Sequence, residues 1–351
     1  MYDRSKGVAH LIGPGGCVTW GDMQRTDLSR DNSLVAEVRR SRFMTPWWLA
    51  IPLGFGLIPL VNQVLAPPAA TPLAGLLKSL FGPAYATYFS SIATVLAFGF
   101  SALVLFLWVR LGERRPFHTI GFHLRRALVG IGLGFGLAML FTTLVVGGLV
   151  ALDMLKPQPP GADPVGMAAM QGILVAALVY VVQGSSEEMV YRGWLQNVVA
   201  IRLGPPIAIA IVTVGFTGAH AFNPGFGVLP CINLVLFALF LSFLALRTGS
   251  LWASCAWHAG WNWSLNNLWG VPLSGLPPEG GSAMAWALTG PSIMTGGVWG
   301  PEGGLVATAV LAGGTVWAAL WHGLGDKTQP TAPALLSPEA RLAAYRAAQR
   351  R

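Results

Sequence analysis

Charge is scarce in this sequence, and the shortage excludes most soluble folds. Only 10% of the 351 residues are charged, whereas 54% are hydrophobic and the mean hydropathy is +0.58. Soluble domains carry about 25% charged residues. The composition therefore argues against a soluble globular domain and favours a chain whose solvent is lipid.

Cysteine is also scarce, and the N-terminal stretch lacks the features of a signal peptide. The three cysteines, Cys17, Cys231 and Cys255, show no spacing that suggests a disulfide framework. The first 45 residues are polar, without an early apolar core or a cleavage pattern. We expect residues 1–45 to form a poorly ordered cytosolic arm.

Long apolar runs fill most of the remaining chain. Eight of them are long enough to cross a hydrocarbon core of about 30 Å. Their approximate limits are 46–65, 88–109, 127–152, 171–203, 206–222, 229–246, 250–269 and 303–322. We predict an all-α polytopic membrane protein with about eight transmembrane helices.

The chain divides by composition, without an internal repeat or a second soluble domain. The predicted parts are the arm, N-terminal transmembrane helices at 46–165, a core at 166–270, a loop with the last transmembrane helix at 271–323, and a basic cytosolic tail at 324–351. The tail sequence SPEARLAAYRAAQRR predicts a short helix, because Ser337 suits the N-cap and Pro338 the first helical position.

Basic residues gather on one side of the predicted bundle. Five arginines lie between the second and third spans, and others lie in the fourth–fifth turn, the sixth–seventh turn and the tail. The opposite loops contain only Lys78 and Lys156. Lys and Arg collect in cytoplasmic loops. We therefore predict that both termini are cytoplasmic and that the net charge of +8 reports topology and not nucleic-acid binding.

The stretch GIGLGFG at 130–136 is rich in glycine. It contains two overlapping pairs with small-xxx-small spacing, Gly130 with Gly134 and Gly132 with Gly136. Small residues at this spacing let helix backbones approach closely in membranes. No strand precedes the stretch, as a phosphate-binding loop would require. We interpret it as a helix-packing surface.

Ionisable side chains inside membrane spans are costly and are therefore functional candidates. Glu187 and Glu188 are the only acidic residues deep inside a predicted span, and His220 and His258 are the only histidines well within one. Glu187 and His220 lie 17 and 16 residues from Gly204, on opposite sides of the turn. In an antiparallel helix pair both would lie about 25 Å from that turn. We expect His258 to reach the same layer.

Local spacing supports a site built from these groups. Glu188 and Arg192 are separated by one helical turn and can pair, either as a structural ion pair or within a catalytic site. His258 and Asn262 have the same spacing. Two imidazoles, a carboxylate and an amide facing one cavity suit a divalent metal ion, often zinc. A nearby glutamate could take a proton from water there.

Three motifs carry a resemblance to a known family. EEMVYR (187–192), FTGAH (216–220) and HAGWN (258–262) match, in the same order, the EExxxR, FxxxH and HxxxN motifs of the CAAX-protease and bacteriocin-processing family, also called the Abi family. RTGSLWAS, before the third motif, is similar to bacterial members, and TGGVWGPEGG (295–304) resembles a segment that follows their core. The resemblance covers about residues 170–270.

The resemblance implies an intramembrane endopeptidase with its active site in the helix bundle. Such an enzyme hydrolyses peptide bonds near or within the bilayer, and its partner is a membrane-associated peptide or protein. The similarity to bacterial members implies the inner (plasma) membrane of a bacterial cell. The implied site residues are Glu187, Glu188, Arg192, His220, His258 and Asn262.

The resemblance also assigns roles to these residues. Glu187 would activate the attacking water, and Glu188 would support it while pairing with the motif arginine. His220 and His258 would bind a divalent metal ion, zinc first, or hold the water. Asn262 would complete the metal shell or stabilise the oxyanion. The residue pattern alone leaves the roles of Glu187 and Glu188 interchangeable.

Two functions from other classes remain open at this stage. An ion- or proton-coupled transporter could use Glu187 and Glu188 as titrating groups. Transporters of that kind are typically built from repeated halves with broken helices, which this sequence does not show. A non-catalytic immunity or scaffold protein would keep the fold, although intact motifs argue against lost catalysis.

Overall fold

The structure is a computed structural model that describes residues 29, 32–39, 41, 43–82, 85–158 and 164–323. The predicted tail helix and most of the N-terminal arm lie outside the described residues. Within them, the α-helices are α1 Ser33–Arg39, α2 Trp47–Leu60, α3 Ala66–Phe81, α4 Tyr85–Leu107, α5 Ala127–Ala151, α6 Met170–Glu188, α7 Gln196–Leu203, α8 Pro205–Ala219, α9 Val228–Thr248, α10 Trp252–Trp263, α11 Ser292–Thr295 and α12 Leu305–Leu320.

Wider and tighter turns interrupt or extend these helices. Stretches of π-helix follow α2, α4, α6 and α10, at Val61–Leu65, Trp108–Gly112, Met189–Leu195 and Ser264–Leu268. Short 3-10 turns occur at Phe117–Ile120, Leu124–Arg126, Gly166–Ala169, Gly297–Trp299 and Pro301–Gly303. Two short strands, β1 Leu155–Pro157 and β2 Trp286–Leu288, pair antiparallel with Leu155 opposite Leu288.

The predicted all-α polytopic membrane fold is confirmed. In the described part of the chain, five helical segments are long and apolar enough to cross a membrane: Trp47–Leu65, Phe89–Gly112, Leu124–Ala151, Gly166–Leu203 and Val228–Thr248. The count of eight is not confirmed. The predicted fifth, seventh and eighth spans contain α-helices of only 15, 12 and 16 residues.

Three of the described helices lie outside the predicted spans: α1, α3 and the one-turn helix α11. α1 lies within the arm that we expected to be poorly ordered, and it buries Leu34, Val35 and Val38 while packing on α7. Asn32 anchors it by donating a hydrogen bond to the carbonyl of Leu246 at 3.0 Å. The prediction of disorder is therefore wrong for this stretch, because its short apolar face is covered by the helical core. α3 lies between the first two spans and packs on α4.

Close helix packing explains part of the glycine-rich stretch. α5 and α10 form the most extensive helix–helix contact of the described residues. A Cβ atom at Gly134 would collide with the carbonyl of Ala253, and one at Gly130 would crowd Trp252. Gly132 and Gly136 face open space. The packing interpretation is therefore right for the first pair and wrong for the second.

The helices α6 to α10 form the central core, and the other elements surround it. α4 packs on α6, α5 on α10, and α12 on α9. The segment from 269 to 304, which carries β2, folds over one end of the core and pairs with β1. This arrangement places the motif residues of α6, α8 and α10 in the interior.

Candidate active site

The end of α6 places both motif glutamates inside the protein. Glu187 is 6% exposed and Glu188 is fully buried. The regular helix ends at Glu188, and the π-helical stretch Met189–Leu195 begins directly after it. Such stretches are frequent at functional sites, although this chain contains others as well. Arg192 lies in this stretch, four residues after Glu188.

Glu188 is held by two partners at one oxygen. Its Oε1 atom accepts a hydrogen bond from Arg192 Nη1 at 2.8 Å and lies 2.9 Å from His258 Nδ1. Arg192 also donates to the carbonyl of Ala238 at 3.3 Å, and its guanidinium stacks over the Phe216 ring at 4.5 Å. The predicted ion pair is therefore present, and both of its side chains are fully buried.

Glu187 has a different environment. Its Oε1 atom accepts a hydrogen bond from Gln183 Nε2 at 2.7 Å. Its Oε2 atom is buried with no hydrogen-bond partner among the described residues. That oxygen lies 3.8 Å from His258 Nε2, which is too long for a direct hydrogen bond. Glu188 Oε2 is also buried without a hydrogen-bond partner among the described residues. The two glutamates therefore differ in their partners, since Glu188 is paired with Arg192 and His258 Nδ1, whereas Glu187 bonds to Gln183 and lies near His258 Nε2.

The contact between His258 and Glu188 determines which ring nitrogen of His258 carries the hydrogen. With Glu188 ionised, Nδ1 must carry the hydrogen, because a carboxylate only accepts. In the neutral ring, Nε2 then presents a lone pair towards Glu187 Oε2. In that state two acceptors face each other across 3.8 Å, and a water molecule that donates one hydrogen to each of them would satisfy both groups.

His220 lies at the C-terminal end of α8 and is half-buried. Its Nδ1 atom lies 2.9 Å from the carbonyl of Phe216. The Phe216 ring contacts both histidines, with centroid distances of 4.9 Å to His220 and 5.9 Å to His258. The structure therefore brings the two imidazoles to neighbouring positions around one aromatic ring. In the described part of the chain, His220 makes no hydrogen bond to either glutamate.

The side chains near His220 and His258 include types that can bind the predicted metal ion. Imidazole and carboxylate are ligand types that zinc accepts. Among the residues that the structure describes, however, no group of three or more His, Cys, Asp or Glu side chains is arranged to hold a metal ion. Zinc at His220 and His258 therefore stays a prediction.

Asn262 joins the site through a residue that the sequence analysis missed. Asn262 Nδ2 donates a hydrogen bond to Gln183 Oε1 at 2.9 Å, and Gln183 in turn contacts Glu187. The available signal was position, because Gln183 lies one helical turn before Glu187 in an otherwise apolar run. Asn262 therefore lies with the two glutamates and His258 in one cluster.

A second missed residue lies in the segment TGGVWGPEGG. Glu302 is buried, and its carboxylate accepts hydrogen bonds from Trp261 Nε1 at 2.9 Å and from the Ser274 hydroxyl at 2.6 Å. Trp261 belongs to the motif helix α10. Glu302 thus fastens the segment that folds over the core to the helix that carries His258 and Asn262.

The part of the sequence that forms this site is similar to a known protein family. A sequence model of the family described as type II CAAX prenyl endopeptidase, Rce1-like, matches residues 169–264. That range contains all three motifs and every predicted site residue. Residues 169–264 are therefore similar to the CAAX-protease family. No curated protein and no solved structure matches the chain.

The range that matches the family also contains the polar cluster. The matched range covers less than a third of the chain and runs from the start of α6 to the end of α10. The helices before α6 and after α10 lie outside the match. The family is one of proteases, and the chain is a multi-pass membrane protein.

Proposed function

We propose that this protein is an intramembrane endopeptidase that hydrolyses peptide bonds of membrane-associated peptides or proteins with water activated by Glu187. One observation carries the proposal: within the CAAX-protease core, the buried Glu187 Oε2 atom has no hydrogen-bond partner among the described residues and lies 3.8 Å from His258 Nε2, too far for a direct hydrogen bond. Buried polar atoms are normally satisfied, so a small polar molecule that bridges the two belongs there. Water is that molecule and is also the second substrate of peptide hydrolysis.

The residues divide the reaction among them. Glu187 takes one proton from the water, and the water oxygen attacks the carbonyl carbon of the peptide to form a tetrahedral oxyanion. The carbon–nitrogen bond then breaks, and the leaving amine takes the proton from Glu187. His258 holds the water through Nε2, while Glu188 fixes the orientation of its ring. Asn262 donates an N–H to the developing oxyanion.

The proposal includes, as the alternative to a hydrogen bond between the water and His258 Nε2, a divalent metal ion, zinc first, with His220 and His258 as ligands. When bound, the ion would hold and polarise the water or the peptide carbonyl in place of that hydrogen bond. Its support is the second nitrogen of each ring: Nδ1 of His220 meets the carbonyl of Phe216, and Nδ1 of His258 meets Glu188. Metal-binding histidines usually show this pattern, because the outer hydrogen bond orients the ring.

The proposed location is the inner membrane of a bacterial cell, with both termini in the cytoplasm. The support is the basic residues that gather in one set of loops. Reporters fused after residue 115 and at the C-terminus should both be cytoplasmic. A periplasmic signal at either position would contradict this orientation.

The test compares the wild type with Glu187→Gln, His220→Ala and His258→Ala. New N-termini in membranes that contain wild type, but not Glu187→Gln, identify the cleaved proteins and supply a peptide for kinetics. Glu187→Gln keeps size and hydrogen bonding but cannot act as a base, so we expect a folded protein that does not cleave. Metal content is measured together with cleavage. In each histidine variant the affinity for the metal ion should fall by about 10-fold or more.

Two outcomes would contradict the proposal. Cleavage by Glu187→Gln at the wild-type rate would move the base to Glu188 or remove the protease function. Equal metal content in all four proteins, or metal in none, would reject the two-histidine metal site. The role of Glu187 and His258 in activating water would then be judged from the cleavage results alone.

A further inference from the structure

A chain of two amide hydrogen bonds links the proposed base to the motif asparagine on another helix. Asn262 Nδ2 on α10 donates to Gln183 Oε1 at 2.9 Å. Gln183 Nε2 on α6 donates to Glu187 Oε1 at 2.7 Å. We name this chain, Asn262–Gln183–Glu187, the amide relay. Its middle member belongs to none of the three sequence motifs.

The charge on Glu187 fixes the orientation of both amides. An ionised carboxylate only accepts hydrogen bonds, so Gln183 must turn its Nε2 towards Glu187. Its Oε1 then faces α10, and Asn262 must turn Nδ2 towards it. Neither amide can flip without bringing two acceptors or two donors together. The relay therefore holds three side chains in one arrangement across two helices.

The relay also determines which oxygen of Glu187 is free. Gln183 occupies Oε1, and only Oε2 is left to face His258 Nε2 at 3.8 Å. Without Gln183 the carboxylate could rotate about its last torsion angle, because a terminal carboxylate torsion is broad and roughly two-fold. The base would then lose its alignment with the water.

We propose that Gln183 is a positioning residue for this hydrolysis, which holds Glu187 Oε2 towards the water and Asn262 towards the substrate carbonyl. The inference rests on the proposed function, because it requires Glu187 to be the base. Gln183 acts through its two neighbours and takes no part in bond making. Its loss should therefore reduce the catalytic step more than substrate binding.

Gln183→Met tests the inference, because methionine keeps the length of the side chain and can form neither bond of the relay. The probe is the peptide identified from the membrane comparison. We expect kcat to fall about 10-fold to 100-fold, since small misplacements of reacting groups have effects of this size. KM should stay within about twofold, the signature of an interaction made in the transition state. Gln171→Met, at the exposed start of α6, is the matched control.

A double-mutant cycle with Asn262→Ala tests the relay itself. If Asn262 orients the base through Gln183, its substitution should cost several-fold less in kcat in the Gln183→Met background, since contacting residues are non-additive. The same cycle, measured on thermal unfolding, should show coupling without any substrate. If Gln183→Met does not fold, Gln183→Asn replaces it, because its amide is one methylene too short to bridge both partners.

The kinetic and stability results for these variants support or contradict the role of Gln183. Wild-type kcat in Gln183→Met, equal changes in kcat and KM, or full additivity in both cycles would overturn the relay. If Glu187→Gln is inactive and Gln183→Met is normal, only this inference fails. If Glu187→Gln cleaves at the wild-type rate, the proposed function fails as well, because no base is left for Gln183 to hold.

Discussion

The N-terminal helices α2 to α4 expose large apolar side chains, whereas the core helices α6 to α10 bury polar side chains in the interior. On α4 the large apolar side chains point outwards: Phe100 is 46% exposed and Leu103 is 48% exposed. Around the end of α6 nearly all side chains are buried, and several of them are polar. Glu188, Arg192 and Gln196 are each 0% exposed.

This contrast follows from the cost of polar groups in hydrocarbon. A polar side chain at membrane depth needs a partner inside the protein, and a charge needs a counter-charge. The core supplies these partners from several helices, whereas the outer helices have few polar groups to satisfy. We infer that the core is sensitive to single polar substitutions and that the outer helices tolerate apolar ones. The following predictions test that difference.

The largest effect is expected at the buried ion pair. Arg192→Ala leaves Glu188 as an uncompensated buried charge, and breaking such a pair costs about 3–5 kcal/mol. We expect low membrane yield and a strongly lowered thermal unfolding midpoint, beyond lost activity. Arg110→Ala is the control, because Arg110 is an exposed arginine at the end of α4. Equal and normal stability for both variants would remove the structural role of the ion pair.

A smaller effect is expected where α5 meets α10. Gly134→Leu pushes a side chain against the backbone of Ala253, and overpacking of this kind costs about 1–3 kcal/mol. Gly132→Leu, half a turn away on the same helix, meets open space and should be nearly neutral. Thermal unfolding of the two purified variants in the same detergent checks the difference. If Gly132→Leu is the more damaging, the faces of α5 are assigned the wrong way round.

The part of the site that lies along one helix could be predicted from spacing. The Glu188–Arg192 pair follows from one helical turn, and it is present. The expectation that Glu187 and His258 would meet came from depth alone, and these two side chains lie 3.8 Å apart. Depth does not determine how a helix is rotated about its axis. That is why spacing did not predict that His220 would turn Nδ1 to its own helix instead of to the glutamates.

The residues that were missed depend on contacts between distant segments. Gln183 is a polar residue among apolar ones, and its importance appears only when α10 presents Asn262 to it. Glu302 lies in a loop far along the chain from Trp261, and only the folded segment brings them together. The expectation of a poorly ordered arm overlooks α1, because its three buried residues make a short apolar face that is covered by contacts with distant segments, among them α7.

The smallest effect is expected on the outer face of α4. Leu103 is 48% exposed, whereas Leu105, two residues further along the same helix, is 2% exposed. Lipid solvates an alanine nearly as well as a leucine, so Leu103→Ala should change stability by no more than about 0.5 kcal/mol. Leu105→Ala removes packed side-chain atoms from the interior and should cost about 2–5 kcal/mol. Thermal unfolding of both variants in one lipid nanodisc preparation gives the comparison. A cost for Leu103→Ala close to that of Leu105→Ala would mean that protein, and not lipid, covers this face, and the contrast between the two regions would then fail at α4.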